Sequence, residues 1–355
     1  GWAGSCWYYL RYIDPKNPGR FVGADAERYW MQGGGNGGGG GVDLYIGGNE
    51  HAVLHLLYAR FWHKMLFDLG EVSTREPFAK LFHQGLILSH AFQRGDGSLV
   101  PVDEVDERAE GEFVERATGS PVKRIIAKMS KSLRNVVNPD DVIAEFGADT
   151  FRLYEMYMGP LESSKPWNTK DMVGLFRFLQ RAWRLIVDEA TGETKFAGAP
   201  DAKVEKLLHR TIAKVGQDVE KLAFNTAIAA MIEFVNAATS STGLTRDQSE
   251  RFALMLCPFA PHIAEEMWAC LGKTDLCSLA KWPSFEEDML KDDEVELAVQ
   301  VNGKVRAKIM VPADADQKRV ESLALGHEKI TAAMEGKPAR KVIVVPGRLV
   351  NIITG

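Results

Sequence analysis

The sequence predicts a multidomain protein, α/β plus all-α, and three observations carry that expectation. A short apolar run ends in twin glycines and opens into a helical pattern over residues 42–66. Apolar residues then hold helical spacing from about 172 to 285. Near the end, strict alternation on both sides of Asn302-Gly303 marks a β-hairpin. A chain of 355 residues suggests two or three domains. The expected division is 1–171, an α/β domain; 172–290, a helical bundle; and 291–355, a small α/β domain.

The first domain is read from "VDLYIGG" (42–48), a short buried strand, and "NEHAVLHLLYARFWHKML" (49–66), a helix. Val53, Leu54, Leu57, Tyr58, Phe61 and Met65 form its apolar stripe, and Asn49 is the expected N-cap. In such a unit ligands sit at the strand's C-terminal end. Before it, "GGGNGGGGG" (33–41) holds eight glycines in nine residues. A phosphate loop needs a strand before it and a helix after it, and here a strand follows, so a flexible insertion or linker is expected. Residues 89–124, rich in charge, Gly and short alternations, read as a small β-rich insertion.

In the bundle, Val204, Leu207, Leu208, Thr211, Val215, Val219 and Leu222 share one helical stripe. "FNTAIAAMIEFVNAAT" and "PHIAEEMWACL" continue in the same manner. In the tail, Val295, Leu297, Val299 and Val301 face one way, and Asn302-Gly303 predicts a type I′ turn. On the return strand Val305, Ala307 and Ile309 are expected on the apolar face, with Lys304, Arg306 and Lys308 on the other. A helix near 315–335 and two strands, "RKVIVV" and "RLVNII", complete the domain. There is no internal repeat.

Composition narrows the function classes. At 45% hydrophobic and 26% charged, the chain reads as a soluble globular protein. No run approaches the roughly 18 apolar residues of a membrane span, so no membrane partner is expected. Four cysteines without a CxxC pair fit reduced thiols in a cytoplasmic protein. The chain begins with Gly1, so the true N-terminus is expected upstream. The net charge of −5 hides an asymmetry: residues 297–355 carry +5 and the remainder −10. A basic tail on an acidic body hints at a polyanionic partner.

Three clusters carry chemistry. In "KMSKS", Lys128 and Lys131 stand three apart among Met129, Ser130 and Ser132, placed to reach one anion, with the serines leaving the loop free to move. The plain alternative is a solvated loop. The second cluster is Tyr45, Gly47, Gly48, Glu50, His51 and His55. Twin glycines let a nucleotide approach the backbone, and Glu50 can accept from ribose hydroxyls. His51 and His55 share one helical face at i and i+4, a spacing that zinc also uses. No third ligand is obvious and the order is not HExxH, so no metal is expected. Capping and packing histidines are the other reading. The third is "SCWYYLRY", whose Trp7, Tyr8 and Tyr9 read from the residues alone as core.

The complete KMSKS pentapeptide resembles the signature loop of class I aminoacyl-tRNA synthetases, and "LRNVVNPDDVIAEFGADTFRLYEMYMGP" looks like the segment that follows it there. "GWAGSCWYYLRY", "VDLYIGGNEHAVLHLLYARFWHKML", "CPFAPHIAEEMW" and "VQVNGKVRAKIMVP" narrow the resemblance to bacterial leucyl-tRNA synthetases. It runs nearly end to end, excluding the Gly-rich run. Valyl, isoleucyl and methionyl enzymes share the loop but not the "GGxEHAxxH" block or this tail. The resemblance implies the second half of a Rossmann-like catalytic fold, an anticodon-binding-type helical bundle and a C-terminal tRNA-binding domain. It implies ATP-dependent ligation of leucine to tRNA(Leu) through a leucyl-adenylate. ATP with Mg2+ is then a substrate, no permanent cofactor is needed, and the full-length enzyme is expected to be a cytoplasmic monomer.

Residue roles follow from the same resemblance. Lys128 and Lys131 close over the β- and γ-phosphates. Such an enzyme aligns reactants and stabilises charge on the phosphates, and one such contact is worth roughly 2–4 kcal/mol of barrier. Gly47, Gly48, Glu50 and His51, with Lys128, Met129, Ser130, Lys131 and Ser132, form the ATP site. Trp2, Tyr8, Tyr45 and His55 line the leucine pocket. Lys304, Arg306 and Lys308, with Lys337, Arg340 and Lys341, meet tRNA phosphates. The family's HIGH-type tetrapeptide is absent, as no H-x-G-H occurs, and nothing resembles its editing domain. The chain therefore reads as the C-terminal part of such an enzyme, inactive alone. A non-catalytic tRNA-binding module and a class I synthetase for another aliphatic amino acid are the alternatives.

Overall fold

The computed structural model describes residues 2–32, 40–291, 294–313, 315–345 and 347–355. Most of the Gly-rich run lies outside the described residues, as does the side chain of Trp2. The chain divides into two units: residues 1–204 with 213–283, and residues 205–212 with 284–355.

The first unit begins with α1 (Tyr8–Ile13) and α2 (Ala24–Met31), followed by β1 (Tyr45–Gly48), α3 (His55–Asp68) and β2 (Leu81–Gln84). β1 and β2 are parallel, with Gly47 opposite His83, so α3 is the crossover of a β–α–β unit. Tyr9, Leu10, Val22, Met31, Leu66 and Val72 form its core. Two expectations change here. The strand is only partly buried, with Ile46 47% exposed, because β2 is its single neighbour. The helix is not continuous: Asn49–Val53 is a 3-10 turn, and Leu54 (φ −121, ψ −101) breaks it before α3 starts. Asn49 therefore does not cap a helix; Gly48 occupies that position, without a side-chain bond. α3 buries Ala59, His63 and Leu66, whereas Val53, Leu57, Tyr58 and Phe61 of the expected core stripe are exposed. The period was right and the buried face was the opposite one.

Only Gly85 and Leu86 separate β2 from β3 (Ile87–Gln93). β4 (Leu99–Val100), β5 (Val105–Ala109), β6 (Glu112–Glu115) and β7 (Pro121–Lys128) follow, in the sheet order β4-β3-β7-β6-β5. This is the expected β-rich segment, packed around Phe92, Val100 and Val122. α4 (Pro139–Phe146) carries Pro139 in its first turn, and the Asn138 side chain accepts from Asp140 N. Gly147 (φ +83) separates it from α5 (Ala148–Tyr157), and β8 (Lys165–Pro166) then joins β3 in parallel.

The helical region comprises α6 (Met172–Ile186), α7 (Ala202–Glu220), α8 (Phe224–Thr239), α9 (Arg246–Leu256) and α10 (Pro261–Cys270). Asp201 caps α7, and Thr245 with Gln248 forms a capping box on α9. Asp149 accepts from the backbone N–H groups of His262 and Ile263, closing the start of α10.

The second unit contains β9 (Glu294–Val301), β10 (Lys304–Pro312), α11 (Gln317–Gly326), α12 (Glu328–Ala333), β11 (Ala339–Val345) and β12 (Leu349–Thr354). The sheet order is β10-β9-β12-β11. Asn302 (φ 51) and Gly303 (φ 79) form the type I′ turn the dipeptide predicts. The single helix expected near 315–335 is two, because His327 is extended (ψ 125). The expected faces of β10 also need correction. A register shift between Val305 and Ala307 makes Arg306 an extra, bulged residue. Val305 consequently pairs with Gln300 and is 57% exposed, rather than joining Ala307 and Ile309 inside. Lys304, opposite Val301, leaves the Lys308 face.

Candidate active site

The β–α–β unit encloses a pocket of about 300 Å³ lined by Ser5, Tyr8, Tyr45, Gly47, Gly48, His51, His55 and His83, with Ile46, Leu56 and Leu81. Residues from three elements meet there. Tyr8 opens α1, Tyr45 begins β1, and His55 is the first residue of α3. The Tyr8 and Tyr45 hydroxyls are hydrogen-bonded, and Tyr45 Oη lies 2.7 Å from His55 Nε2. Phe78 stacks on the Tyr45 ring at 3.9 Å and fixes its plane. Burial, and then the hydrogen bond shared with Tyr8, pushes the Tyr45 hydroxyl's pKa up. Burial, and then the nearby His51, pulls the His55 pKa down. Both shifts favour the neutral forms of Tyr45 and His55, which stand beside the apolar Ile46, Leu56 and Leu81.

His51 and His55 do not share a helical face, because Leu54 breaks the helix between them. Their rings stand 6.3 Å apart at 89°. His51 Nδ1 is buried and has no hydrogen-bond partner, an atom that a ligand can satisfy. The glycines play different parts. A side chain at Gly47 would meet nothing within 4 Å, so its face is open to an incoming group. At Gly48 a Cβ would lie 2.2 Å from Glu50 Oε2, so the Glu50 carboxylate folds over this glycine. Glu50 is exposed and is not part of the pocket lining.

His83 and Ser5 were not evident from the sequence. His83 Nδ1 donates to Gly47 O at 3.1 Å. Its position follows from the parallel register of β1 and β2, which no local motif encodes.

Lys128 is the last residue of β7, and Lys131 opens the turn that follows. Both are exposed, as is Ser132, and neither lysine belongs to the pocket lining. Connectivity tethers them to it. Leu88 pairs with Lys128, Gln84 pairs with Gly48, and four residues of strand span at most about 14 Å. The serines do not loosen the loop as expected. Ser130 Oγ meets Ser132 Oγ at 3.1 Å and accepts from Leu133 N at 3.3 Å. Asn135, buried and absent from the sequence reading, accepts from Ser130 N at 2.9 Å and donates to His90 O at 3.2 Å. Arg134 adopts φ 48 and pairs with Asp103. The turn is built, with both ammonium groups presented outward.

In the second unit Lys308 pairs with Glu296 at 2.7 Å. Lys337, Arg340 and Lys341 are exposed, and a register shift between Ala339 and Lys341 makes Arg340 a second bulged arginine.

Two family models match the chain: "tRNA synthetases class I (I, L, M and V)" over residues 126–165, and "Anticodon-binding domain of tRNA ligase" over 201–322. A leucine–tRNA ligase of Salinispora arenicola is 52% identical over 99% of this chain. In sequence, the chain belongs with the leucine–tRNA ligases. One from Borrelia garinii is 47% identical over the same share. The chain spans 37% of the Salinispora relative and 40% of the Borrelia one, well under half of either. The ternary complex of Agrobacterium radiobacter K84 agnB2 LeuRS with tRNA and LeuAMS superposes with a TM-score of 0.69 at 27% identity. That match covers 99% of this chain and 42% of the other. The architecture is therefore that of the leucine–tRNA ligases over this stretch, α/β sheets with a helical region.

Proposed function

We propose that the chain supplies the KMSKS-bearing part of an ATP-dependent leucine–tRNA ligase that works through a leucyl-adenylate. The observation that carries this reading is the convergence of Tyr8, Tyr45, Gly47, Gly48, His51 and His55 on one pocket. Those residues come from two of the sequence blocks that resemble leucyl-tRNA synthetases, 1–12 and 42–66. Tyr8, Tyr45 and His55 receive the leucine side chain and ammonium end, and the open face of Gly47 with His51 Nδ1 receives the adenylate. Lys128 and Lys131 meet the triphosphate of ATP–Mg2+. Residues 1–171 thus bear the catalytic elements, 172–290 the bundle, and 291–355 a tRNA-binding domain. Lys304, Arg306, Lys308, Lys337, Arg340 and Lys341 lie on RNA phosphates.

The exposed stripe of Val53, Leu57, Tyr58 and Phe61 supports a further part of the reading. An apolar surface of this kind is normally covered. We assign its cover to the portion of a leucine–tRNA ligase that this chain does not span.

The test is pyrophosphate exchange with leucine, isoleucine, valine and methionine, on the chain co-expressed with the remaining portion of a leucine–tRNA ligase. Leucine-dependent exchange, lowered about 10²–10³-fold by Lys131→Ala with tRNA binding retained, is the expected result. Exchange with valine alone would move the substrate, and exchange with none of the four would remove the catalytic reading.

A further inference from the structure

Away from the pocket, the first unit contains a second cleft, of about 530 Å³, at the end of α6. Its walls are Arg181, Arg184 and Leu185 of α6, the segment Lys195–Ala197, the end of α8, and the loop Ser241–Leu244. The wall is fastened by backbone bonds: Lys195 N to Ile186 O at 2.9 Å and Ala197 N to Leu244 O at 2.8 Å. Three cations line the cleft and no Asp or Glu does. Arg181 and Arg184, three apart on one helix, repel each other, and Lys195 adds a third positive charge. Only Arg184 is relieved, by Glu189 at 2.8 Å. Among the described residues neither Arg181 nor Lys195 has an ion-pair partner, and Arg181 Nε is buried without a hydrogen bond.

The rest of the lining sets the ligand class. Phe196 forms an aromatic wall, held by the Arg246 guanidinium 4.6 Å from its centroid, and Arg246 is itself tied to Leu271 O at 2.6 Å. The Thr239 and Ser241 hydroxyls already donate to Val235 O and Ala238 O, so they are not free donors. What remains for a ligand is the Arg181 guanidinium, the Lys195 ammonium, the Thr242 hydroxyl and an aromatic plate, the elements that hold a phosphate and an attached ring. We propose that this cleft binds the phosphate group of a nucleotide, free or within an RNA strand.

The test titrates the 355-residue chain with inorganic phosphate, AMP and a transfer RNA, using calorimetry and thermal melting. Lys170→Gln, an exposed lysine outside the cleft, is the charge control. The Arg181→Gln/Lys195→Gln variant should weaken phosphate and AMP by about tenfold or more and abolish their effect on Tm. If RNA is the source, the slope of log K against log salt for transfer RNA also falls in magnitude, by about 1.4–1.8. If that slope is unchanged while AMP weakens, the source is a free nucleotide. Equal binding of all three probes by the double variant and the control overturns the proposal. Failure of the chain to bind phosphate, AMP or RNA in any cleft-dependent way overturns it too. Should the double variant unfold, the exposed Lys195→Gln alone gives the same readouts.

Discussion

Replacing Asn135 by alanine should open the KMSKS turn without unfolding the protein. The side chain is buried and makes two good bonds, from Ser130 N at 2.9 Å and to His90 O at 3.2 Å. A third, to Lys128 O at 3.5 Å, is at the geometric limit and contributes little. Each good bond is worth roughly 1–1.5 kcal/mol, and its loss leaves a donor and an acceptor with no replacement. The turn should therefore lose about 2–3 kcal/mol of local stability, a factor of roughly 30–150 in the open population. Trypsin reads that population directly, because Lys131 and Arg134 lie within the turn, Lys128 ends the strand that leads into it, and cleavage tracks the open fraction when reclosing is fast. Native-state proteolysis should show new cuts after Lys128 and Lys131, faster by that factor, with an unchanged global Tm. Asn135→Asp keeps the Ser130 bond but turns a carboxylate oxygen on His90 O, so it should cut at least as fast. Wild-type cleavage rates in Asn135→Ala would refute the claim that this side chain holds the turn.

Three further outcomes follow from the same geometry. Gly85→Ala should cost roughly 1–3 kcal/mol, since its Cβ would lie 2.2 Å from Ser163 C and 2.4 Å from Ser164 N; an unchanged urea midpoint would contradict that backbone approach. His55 and His63 both have pKa values lowered by burial, so their stabilising contribution is complete above the unfolded value near 6.5 and is lost as pH falls through the folded values. The urea midpoint should accordingly be lower at pH 5.5 than at pH 7.5, and a midpoint that holds or rises would count against it. Arg306→Gln should reduce the salt slope of RNA binding by about 0.9, and Lys308→Gln by less, because Glu296 already neutralises Lys308; equal effects would show that the ion pair is immaterial.

What was legible in the sequence is what local chemistry determines. Asn302-Gly303 specified its turn because few residue pairs accept positive φ at both central positions. The α7 stripe matched its buried face: Val204, Leu208, Thr211 and Val215, all on the apolar spacing, are buried. For α3 the same period pointed to the wrong face. Periodicity states that a helix has an apolar side but not which side this stretch of chain covers, and α3 buries His63 instead. That histidine is satisfied: its Nε2 donates to Thr74 O at 2.8 Å, so Nδ1 accepts from Tyr9 Oη at 2.7 Å. A polar residue with both nitrogens bonded can replace an apolar one in a core, and pattern reading has no way to anticipate it.

The bulges in β10 and β11 carry the same lesson into the candidate interfaces. Strict alternation assigns Lys304, Arg306 and Lys308 to one face, but one inserted residue reverses everything before it. Both shifts fall on edge strands, and in both the extra residue is an arginine, Arg306 or Arg340. A bulge disrupts the edge ladder and discourages pairing with another chain, and a charged residue there does so further. Each arginine is also released from the pleat that would fix its direction. The exposed charge of this unit is thus carried less by a flat stripe, as alternation suggests, than by two edges, each presenting a guanidinium that the strand does not constrain.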